Sequence, residues 1–277
     1  MLDLITERKI PVGLADRNLF DWLQDNAAGF FDSLSLIFEQ LIQAVLWLLQ
    51  SPHPFVIIAA LAGFSYWLQR KLTTVLLVIV GFLFIPNQGY WEETTESLTL
   101  VMSSCLLCMM IGVPIGIAAA HRPRLYAVMR PVLDLMQTLP NFVYLIPAIV
   151  FFGIGMVPGL IATIIFVLPA PIRLTHLGIS ATPAALLDAA DAFGASPFQK
   201  LIKAELPYAL PQIIAGLTQT IMLSLSMVVI AALVGADGLG VPVVRALNQV
   251  NTALGFESGL VIVILAIMLD RIFRKGK

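Results

Sequence analysis

The sequence is short of charged residues, and two long stretches contain none. Asp, Glu, Lys and Arg make up 12% of the 277 residues, and none occurs from Leu135 to Ile172 or from Leu206 to Ala236. Soluble domains carry about a quarter charged residues. Repeated uncharged apolar runs of this length predict a polytopic helical membrane protein instead. The net charge of −1 and the lack of a basic patch argue against a nucleic-acid partner.

Residues that could support catalysis, a metal or a nucleotide are also scarce. The two cysteines, Cys105 and Cys108, lie one turn apart in an apolar run without a second pair, whereas a zinc site needs about four ligands. They are predicted to be small packing residues. No glycine-rich loop ending in Lys-Ser or Lys-Thr is present, so no nucleotide is expected on this chain. We therefore predict a protein that is not an enzyme and carries no cofactor or metal.

Ionisable groups are nearly missing from the predicted spans. Asp134, Arg173 and Asp270 all fall near predicted cytoplasmic ends. A proton- or sodium-coupled carrier is expected to keep ionisable groups inside the membrane. A stand-alone secondary carrier or channel for a small zwitterion is therefore the less favoured alternative, and an external energy source is favoured.

The chain is predicted to have three parts. Residues 1–50 form an N-terminal segment whose opening ten residues lack the apolar core of a cleavable signal peptide. Within it, 34–50 carries polar residues on one face, which favours a helix in the membrane interface, although a crossing stays open. Residues 51–91 form a peripheral transmembrane hairpin, and 92–275 form the core. Spans are predicted at 54–69, 73–85, 96–120, 132–152, 160–177, 208–233 and 256–269.

Lys and Arg in short loops predict the orientation. The basic loops fall on alternate ends of the spans and therefore share the cytoplasmic side: Arg70-Lys71, Arg122 to Arg130, Lys200 with Lys203, and the tail from Arg271 to Lys277. The C-terminus and residues 181–206 are thus predicted to be cytoplasmic. The N-terminus is predicted to be outside unless 34–50 crosses.

Glycine is predicted to have two structural uses in the core. Gly112-x-x-x-Gly116 permits two helices to approach closely within the membrane. Gly235 to Gly240 resembles a nucleotide fingerprint only superficially, since the order is wrong and no strand precedes it. This segment is predicted to be a flexible external turn.

A polar segment, residues 181–206, interrupts the two uncharged runs. Thr182-Pro183 is predicted to begin a helix, with Thr182 as the N-cap and Pro183 at the first position. The helix continues over 184–193, and Gly194 suits its C-terminal cap.

A second short helix is predicted after this glycine. Ser196-Pro197 restarts the helix, Lys200 and Lys203 make it basic, and Pro207 stops or kinks it. The first helix carries Asp188 and Asp191 one turn apart, but no histidine converges on them. The segment is therefore predicted to be a docking element and not a catalytic one.

These residues resemble the "EAA" loop of ABC-importer permeases. In that loop Glu-Ala-Ala is followed after three residues by glycine, and Ile-x-Leu-Pro follows after nine more. The same spacing occurs here, with Asp188 in place of the glutamate and Ala204 in place of the isoleucine. The flanking sequences LMQTLPNFVYLIPAIVFFGIG, GLIATIIFVLPAPIRLTHLGI and LSMVVIAALVGADGLG resemble, more specifically, permeases for glycine betaine, proline betaine and choline. The resemblance covers about residues 50–275.

The resemblance implies an all-α, polytopic transmembrane bundle of the type I ABC importer permeases, with a five-helix core and two or three N-terminal helices. It implies a bacterial cytoplasmic (inner) membrane protein that pairs with a second permease copy, two cytoplasmic ATPases that bind ATP and Mg, and an extracytoplasmic substrate-binding protein. The segment 181–206 would then be the coupling loop. Its coupling residues would be Asp188, Ala189, Ala190, Phe193, Gly194, Leu206 and Pro207.

The resemblance also implies a path for a small quaternary-amine osmolyte through the spans. Candidate residues on the path are Phe142, Tyr144, Met222 and Met227. A quaternary ammonium group binds to aromatic faces through cation–π contacts, for which Phe151 and Phe152 are further candidates beside Phe142 and Tyr144.

Overall fold

A computed structural model describes the backbone of residues 12–273 and the side chains from Phe20 onward. The predictions made for the first ten residues and for the tail 274–277 fall outside this range. Within it the chain forms thirteen helical segments and no strand, and the first segment is kinked at Ala27, where the backbone is not helical. The helices are α1 Val12–Gln50, α2 Pro54–Gln69, α3 Leu72–Asn87, α4 Trp91–His121, α5 Pro123–Thr138, α6 Asn141–Phe152, α7 Met156–Val167, α8 Pro169–Ser180, α9 Ala184–Ala192, α10 Pro197–Lys200, α11 Leu206–Ala232, α12 Gly240–Gln249 and α13 Thr252–Phe273.

Five helical segments of the described chain are long and apolar enough to cross a membrane. They are Phe20–Gln50, Trp91–His121, Met156–Ser180, Pro197–Ala232 and Thr252–Phe273. The pair α5 and α6 adds a sixth if it is one bent span, while α2 and α3 are apolar helices of 16 residues each. The predicted hairpin at 51–91 corresponds to these two shorter helices.

The span predicted over 132–152 is divided between two helices. The axes of α5 and α6 differ by 95° across a break at Leu139 and Pro140. Leu139 has an extended backbone, with ψ of 138°, because a residue that precedes proline is sterically disfavoured in the helical region. The helical direction therefore changes before Asn141.

Helix α1 contacts two other helices at ends that are predicted to be external. The Gln50 amide donates to the Thr95 hydroxyl at 2.9 Å, close to the start of α4. The Phe31 ring stacks on Phe151, with centroids 4.3 Å apart, close to the end of α6. The part of α1 between Phe31 and Gln50 therefore bridges these two external ends.

The core forms where α4, α8 and α11 pack closely together. A Cβ atom at Gly112 would lie 2.8 Å from Pro171 Cγ, and one at Gly116 would lie 2.7 Å from the Ile172 carbonyl oxygen. These glycines thus let the backbones of α4 and α8 approach, as the spacing predicted. On another face of α4, the buried Ser104 hydroxyl donates to Ser224 of α11 at 2.9 Å.

The turn from Gly235 to Gly240 is packed, so the prediction of a flexible turn was wrong. Ala236 and Leu239 are buried, because their apolar side chains enter the core. The Leu239 amide donates to the Ser97 hydroxyl of α4 at 2.8 Å. This turn therefore fixes the end of α11 against the start of α4, on the side that is predicted to be external.

We predict that Gly116→Val destabilises the bundle by about 1–3 kcal/mol, because the added side chain overlaps the α8 backbone. Thermal unfolding of the purified protein in detergent measures this as a lower midpoint. Gly63→Val is the matched control, since a Cβ atom at Gly63 meets nothing within 4 Å. Equal midpoints for the two variants would contradict the proposed close approach.

Candidate functional site: the coupling loop

The first helix of the polar segment begins one residue later than predicted. Pro183 occupies the N-cap position with an extended backbone, and no side chain caps α9. Thr182 is instead held in the last turn of α8, where its amide donates to the Ile179 carbonyl at 3.1 Å. The predicted Thr182 cap and the placement of Pro183 at the first helical position were therefore wrong.

The predicted glycine cap of α9 is present. Gly194 has a positive φ of 71°, and its amide donates to the Asp191 carbonyl at 2.8 Å. The next amide, that of Ala195, donates to the Ala190 carbonyl at 3.0 Å. This pair of bonds is the Schellman motif, which satisfies the last carbonyls of a helix through a left-handed residue.

The second short helix starts at Ser196-Pro197, as predicted. The Ser196 hydroxyl accepts the Gln199 amide at 3.3 Å, and the Gln199 side chain accepts the Ser196 amide at 2.8 Å. This capping box satisfies two amides at the start of α10. The Lys200 ammonium group lies 2.7 Å from an Asp191 carboxylate oxygen, which ties α10 to α9.

Pro207 does not stop the second helix. A π-helical turn over Leu201–Glu205 joins α10 to α11, and the Leu206 amide donates to the Leu201 carbonyl five residues earlier. This wider turn makes room for a proline ring that would otherwise collide with the preceding turn. The helix therefore continues for 36 residues, Pro197–Ala232, which is about 54 Å and exceeds the thickness of a membrane core.

The two short helices enclose a concavity of about 460 Å³. Ala189, Ala190 and Phe193 line it, so three of the predicted coupling residues are brought together. The Phe193 ring is 91% exposed, and Asp188 is also exposed. An exposed aromatic side chain beside an apolar concavity is typical of a protein–protein contact.

The remaining predicted coupling residues have other positions. Gly194 caps α9 and does not line the concavity. Leu206 and Pro207 begin α11, after the π-helical turn, and Pro207 lines a different groove. Their surroundings favour a role in shaping the loop and its connection to α11.

The structure separates the candidate path residues. Tyr144 and Met227 lie together in a buried cluster, where the Tyr144 hydroxyl donates to the Met136 carbonyl at 2.6 Å. Phe142 is exposed on α6. Phe151 stacks on Phe20 and Phe31, so these rings contact its faces.

Met222 lines a groove on α11 that the sequence reasoning missed. The groove has a volume of about 640 Å³ and combines apolar, prolyl and polar side chains. The lining residues are Pro207, Leu210, Pro211, Ile214, Ala215, Thr218, Gln219, Met222 and Asp270. Pro207, Pro211, Ala215, Thr218 and Met222 recur every three or four positions, and this helical spacing is the signal that could have revealed the groove.

The family model for the binding-protein-dependent transport system inner membrane component matches residues 112–273. The chain belongs to this family. It is 42% identical over 269 residues to the glycine betaine transport system permease protein OpuAB of Bacillus subtilis, covering 97% of this chain and 95% of that protein. It is 44% identical over 247 residues to the glycine betaine/carnitine transport permease protein GbuB of Listeria monocytogenes, covering 88% of each.

Further similarities support the same assignment. The chain is 40% identical over 275 residues to the glycine betaine/proline betaine transport system permease protein ProW of Escherichia coli, covering 98% of this chain and 77% of that protein. A solved inward-facing structure of the MetNI methionine ABC transporter aligns with a TM-score of 0.58 and 25% identity, over 65% of this chain and 92% of that one. The predicted fold, an all-α membrane bundle of the type I ABC importer permeases, is confirmed.

We predict that Gly194→Val destabilises the C-terminal cap of α9 by about 1–2 kcal/mol, because a side chain is strained in the left-handed region. No atom lies within 4 Å of a Cβ at this position, so the effect is conformational and not steric. Hydrogen exchange of the α9 amides should accelerate by about fivefold or more. Gly194→Asn, which tolerates this conformation, is the control, and equal acceleration in both variants would argue against the cap.

Proposed function

We propose that this chain is the permease subunit of an ATP-driven importer for glycine betaine or a closely related quaternary-amine osmolyte. The observation that carries the substrate class is the set of three relatives at 40–44% identity, all of which are named for glycine betaine transport. Proline betaine and carnitine share the quaternary ammonium group and the carboxylate. The trimethylamine N-oxide permease TmoV of Ruegeria pomeroyi, at 34% identity, is less similar.

The partners of the proposed importer are a second copy of the permease, two cytoplasmic ATPases and an extracytoplasmic substrate-binding protein. The family description supports a binding-protein partner and an inner-membrane location. The exposed Phe193 and the concavity beside it support docking of α9 on an ATPase. ATP and Mg bind the ATPases, and the coupling loop and C-terminus lie in the cytoplasm.

The loop is suited to transmit displacement because it is rigid at each junction. The Schellman motif closes α9, the capping box starts α10, and the Lys200–Asp191 ion pair joins the two helices. The three relatives at 40–44% identity are all named as transport permeases, and none is named as a stand-alone carrier. The groove on α11 that contains Thr218, Gln219 and Met222 is the candidate path for the osmolyte.

The N-terminal helix is proposed to lie in the external membrane interface. Contacts at Phe31 and Gln50 join α1 to the external ends of α6 and α4, although this segment is about 28 Å long. A crossing helix of that length would reach the opposite surface. Glu39 and Gln43 are exposed, which agrees with a polar face in water. The described part of the N-terminal segment, residues 12–50, then forms an interfacial unit on the external side.

We predict that deleting residues 186–194 abolishes ATP-driven uptake while the protein still inserts in the membrane. The experiment uses vesicles that contain the permease, its ATPases and its binding protein, and it measures uptake of labelled glycine betaine. Gly194→Pro should have the same effect, because proline cannot adopt a φ of 71°. Gly63→Ala, on an open face of α2, is the control. Normal uptake after the deletion would refute the role of the loop, and wild-type vesicles that import no betaine would refute the substrate class.

We predict that Asp25→Cys is labelled by a membrane-impermeant maleimide added outside intact cells. An interfacial α1 leaves this exposed residue on the external side, whereas a crossing α1 carries it to the cytoplasm. Ser51→Cys is the control, because it is external in both topologies. The native Cys105 and Cys108 are buried and give little background. Labelling of residue 25 only after permeabilisation would show that α1 crosses.

A further inference from the structure

The end of the coupling loop contacts a helix that is not adjacent to the loop in the sequence. Glu205, the last residue of the π-helical turn, is buried, and its Oε2 lies 2.9 Å from Nε2 of His121. His121 is the last residue of α4. Since the loop connects directly only to α8 and α11, this contact gives it a third attachment, to the corner between α4 and α5.

The surroundings of the His121 imidazole favour its contact with Glu205. Nδ1 of His121 lies 2.9 Å from the Ile117 carbonyl oxygen, which can only accept, so Nδ1 carries a hydrogen. Nε2, the other ring nitrogen, then faces the carboxyl group of Glu205. The two side chains are therefore within ion-pair distance, and a buried carboxyl group without this partner would be costly.

A second set of contacts holds α5 from the other end of the loop. Arg173 of α8, the helix that enters the loop, donates to Asp134 at 2.6 Å and to Gln137 at 3.0 Å, and both acceptors belong to α5. The His176 ring of α8 stacks on Tyr126 of α5 with centroids 3.6 Å apart. The entry of the loop therefore holds α5, and its exit holds the end of α4.

We propose that His121 and Glu205 are positioning residues that make the α4–α5 corner move together with the coupling loop. The inference rests on the proposed docking of the loop on an ATPase. Displacement of the loop then reaches α4 directly, as well as α8 and α11 through the backbone. Loss of the contact leaves ATP hydrolysis in place but transmits less of each cycle to the spans.

The test compares uptake of labelled glycine betaine with ATP hydrolysis in the same vesicles of the assembled importer. His121→Ala and Glu205→Ala should each lower uptake per ATP hydrolysed by about fivefold or more, the range of typical coupling between sites. In the double variant, uptake per ATP hydrolysed should fall no further than in either single variant, because each substitution removes the same contact. Glu205→Gln can still form a hydrogen bond with the imidazole, so this variant should retain most of the uptake per ATP hydrolysed.

His53→Ala is the matched control, since it removes an imidazole at the predicted external end of α2. The inference is overturned if the single variants keep the wild-type ratio, if uptake and hydrolysis fall equally, or if the losses multiply in the double variant. Failure of the proposed function is a different result, because wild-type vesicles would then import no glycine betaine.

A distance measurement tests the inference without any substrate. Spin labels at Ala118 of α4 and Ala185 of α9, both exposed, report the separation of the end of α4 and the loop. In the wild-type complex this distance should be the same without nucleotide and with ATP trapped. In His121→Ala it should change between the two states. A distance that changes in the wild type, or stays fixed in the variant, overturns the proposal.

Discussion

The close approach of α4 and α8 is the constraint on which the rest of the structure depends. In a membrane, apolar helices gain little by leaving lipid, so their association relies on dense packing. Gly112 and Gly116 provide it by letting the α8 backbone occupy the space of a side chain. This contact brings the ends of α4, α8 and α11 together, and the polar contacts that join the coupling loop to α4 and α5 exist only because those ends meet.

The polar residues discussed above fall into two groups: those buried inside the bundle, and those that join helices at one end of it. Within the bundle, small hydroxyl residues such as Ser104 and Ser224 satisfy one another without introducing a charge. At the end that is predicted to be cytoplasmic, the ion pairs of Arg173 and Lys200 join neighbouring elements. Such a division fits a transporter that receives its energy from a partner subunit, because no proton or sodium ion then has to cross the bundle together with the substrate.

The sequence predicted best those features that depend on a few consecutive residues. Gly194 and Ser196-Pro197 determine their caps through their own backbone preferences, and the structure contains both caps. The glycine spacing at 112 and 116 likewise indicated a close helix contact. Family resemblance supplied the fold class, which composition alone could describe only as a helical membrane bundle.

Features that depend on distant partners could not be predicted in this way. Thr182 has the chemistry of an N-cap, but the end of α8 holds its amide first. The turn after Val234 looked flexible because its glycines are visible in the sequence, while its contact with Ser97 is not. His121 and Glu205 are far apart along the chain, so only the folded bundle reveals that they meet.

The π-helical turn over Leu201–Glu205 has a geometric consequence for the long helix that follows it. A π turn contains one residue more than the α-helical turn it replaces. Converting it to α-helical hydrogen bonding would therefore rotate α11 by about 100° about its own axis, since an α-helix has 3.6 residues per turn. Such a one-residue change of register would turn the side of α11 that carries Thr218 and Met222 toward a different neighbour. The length of the continuous helix would hardly change.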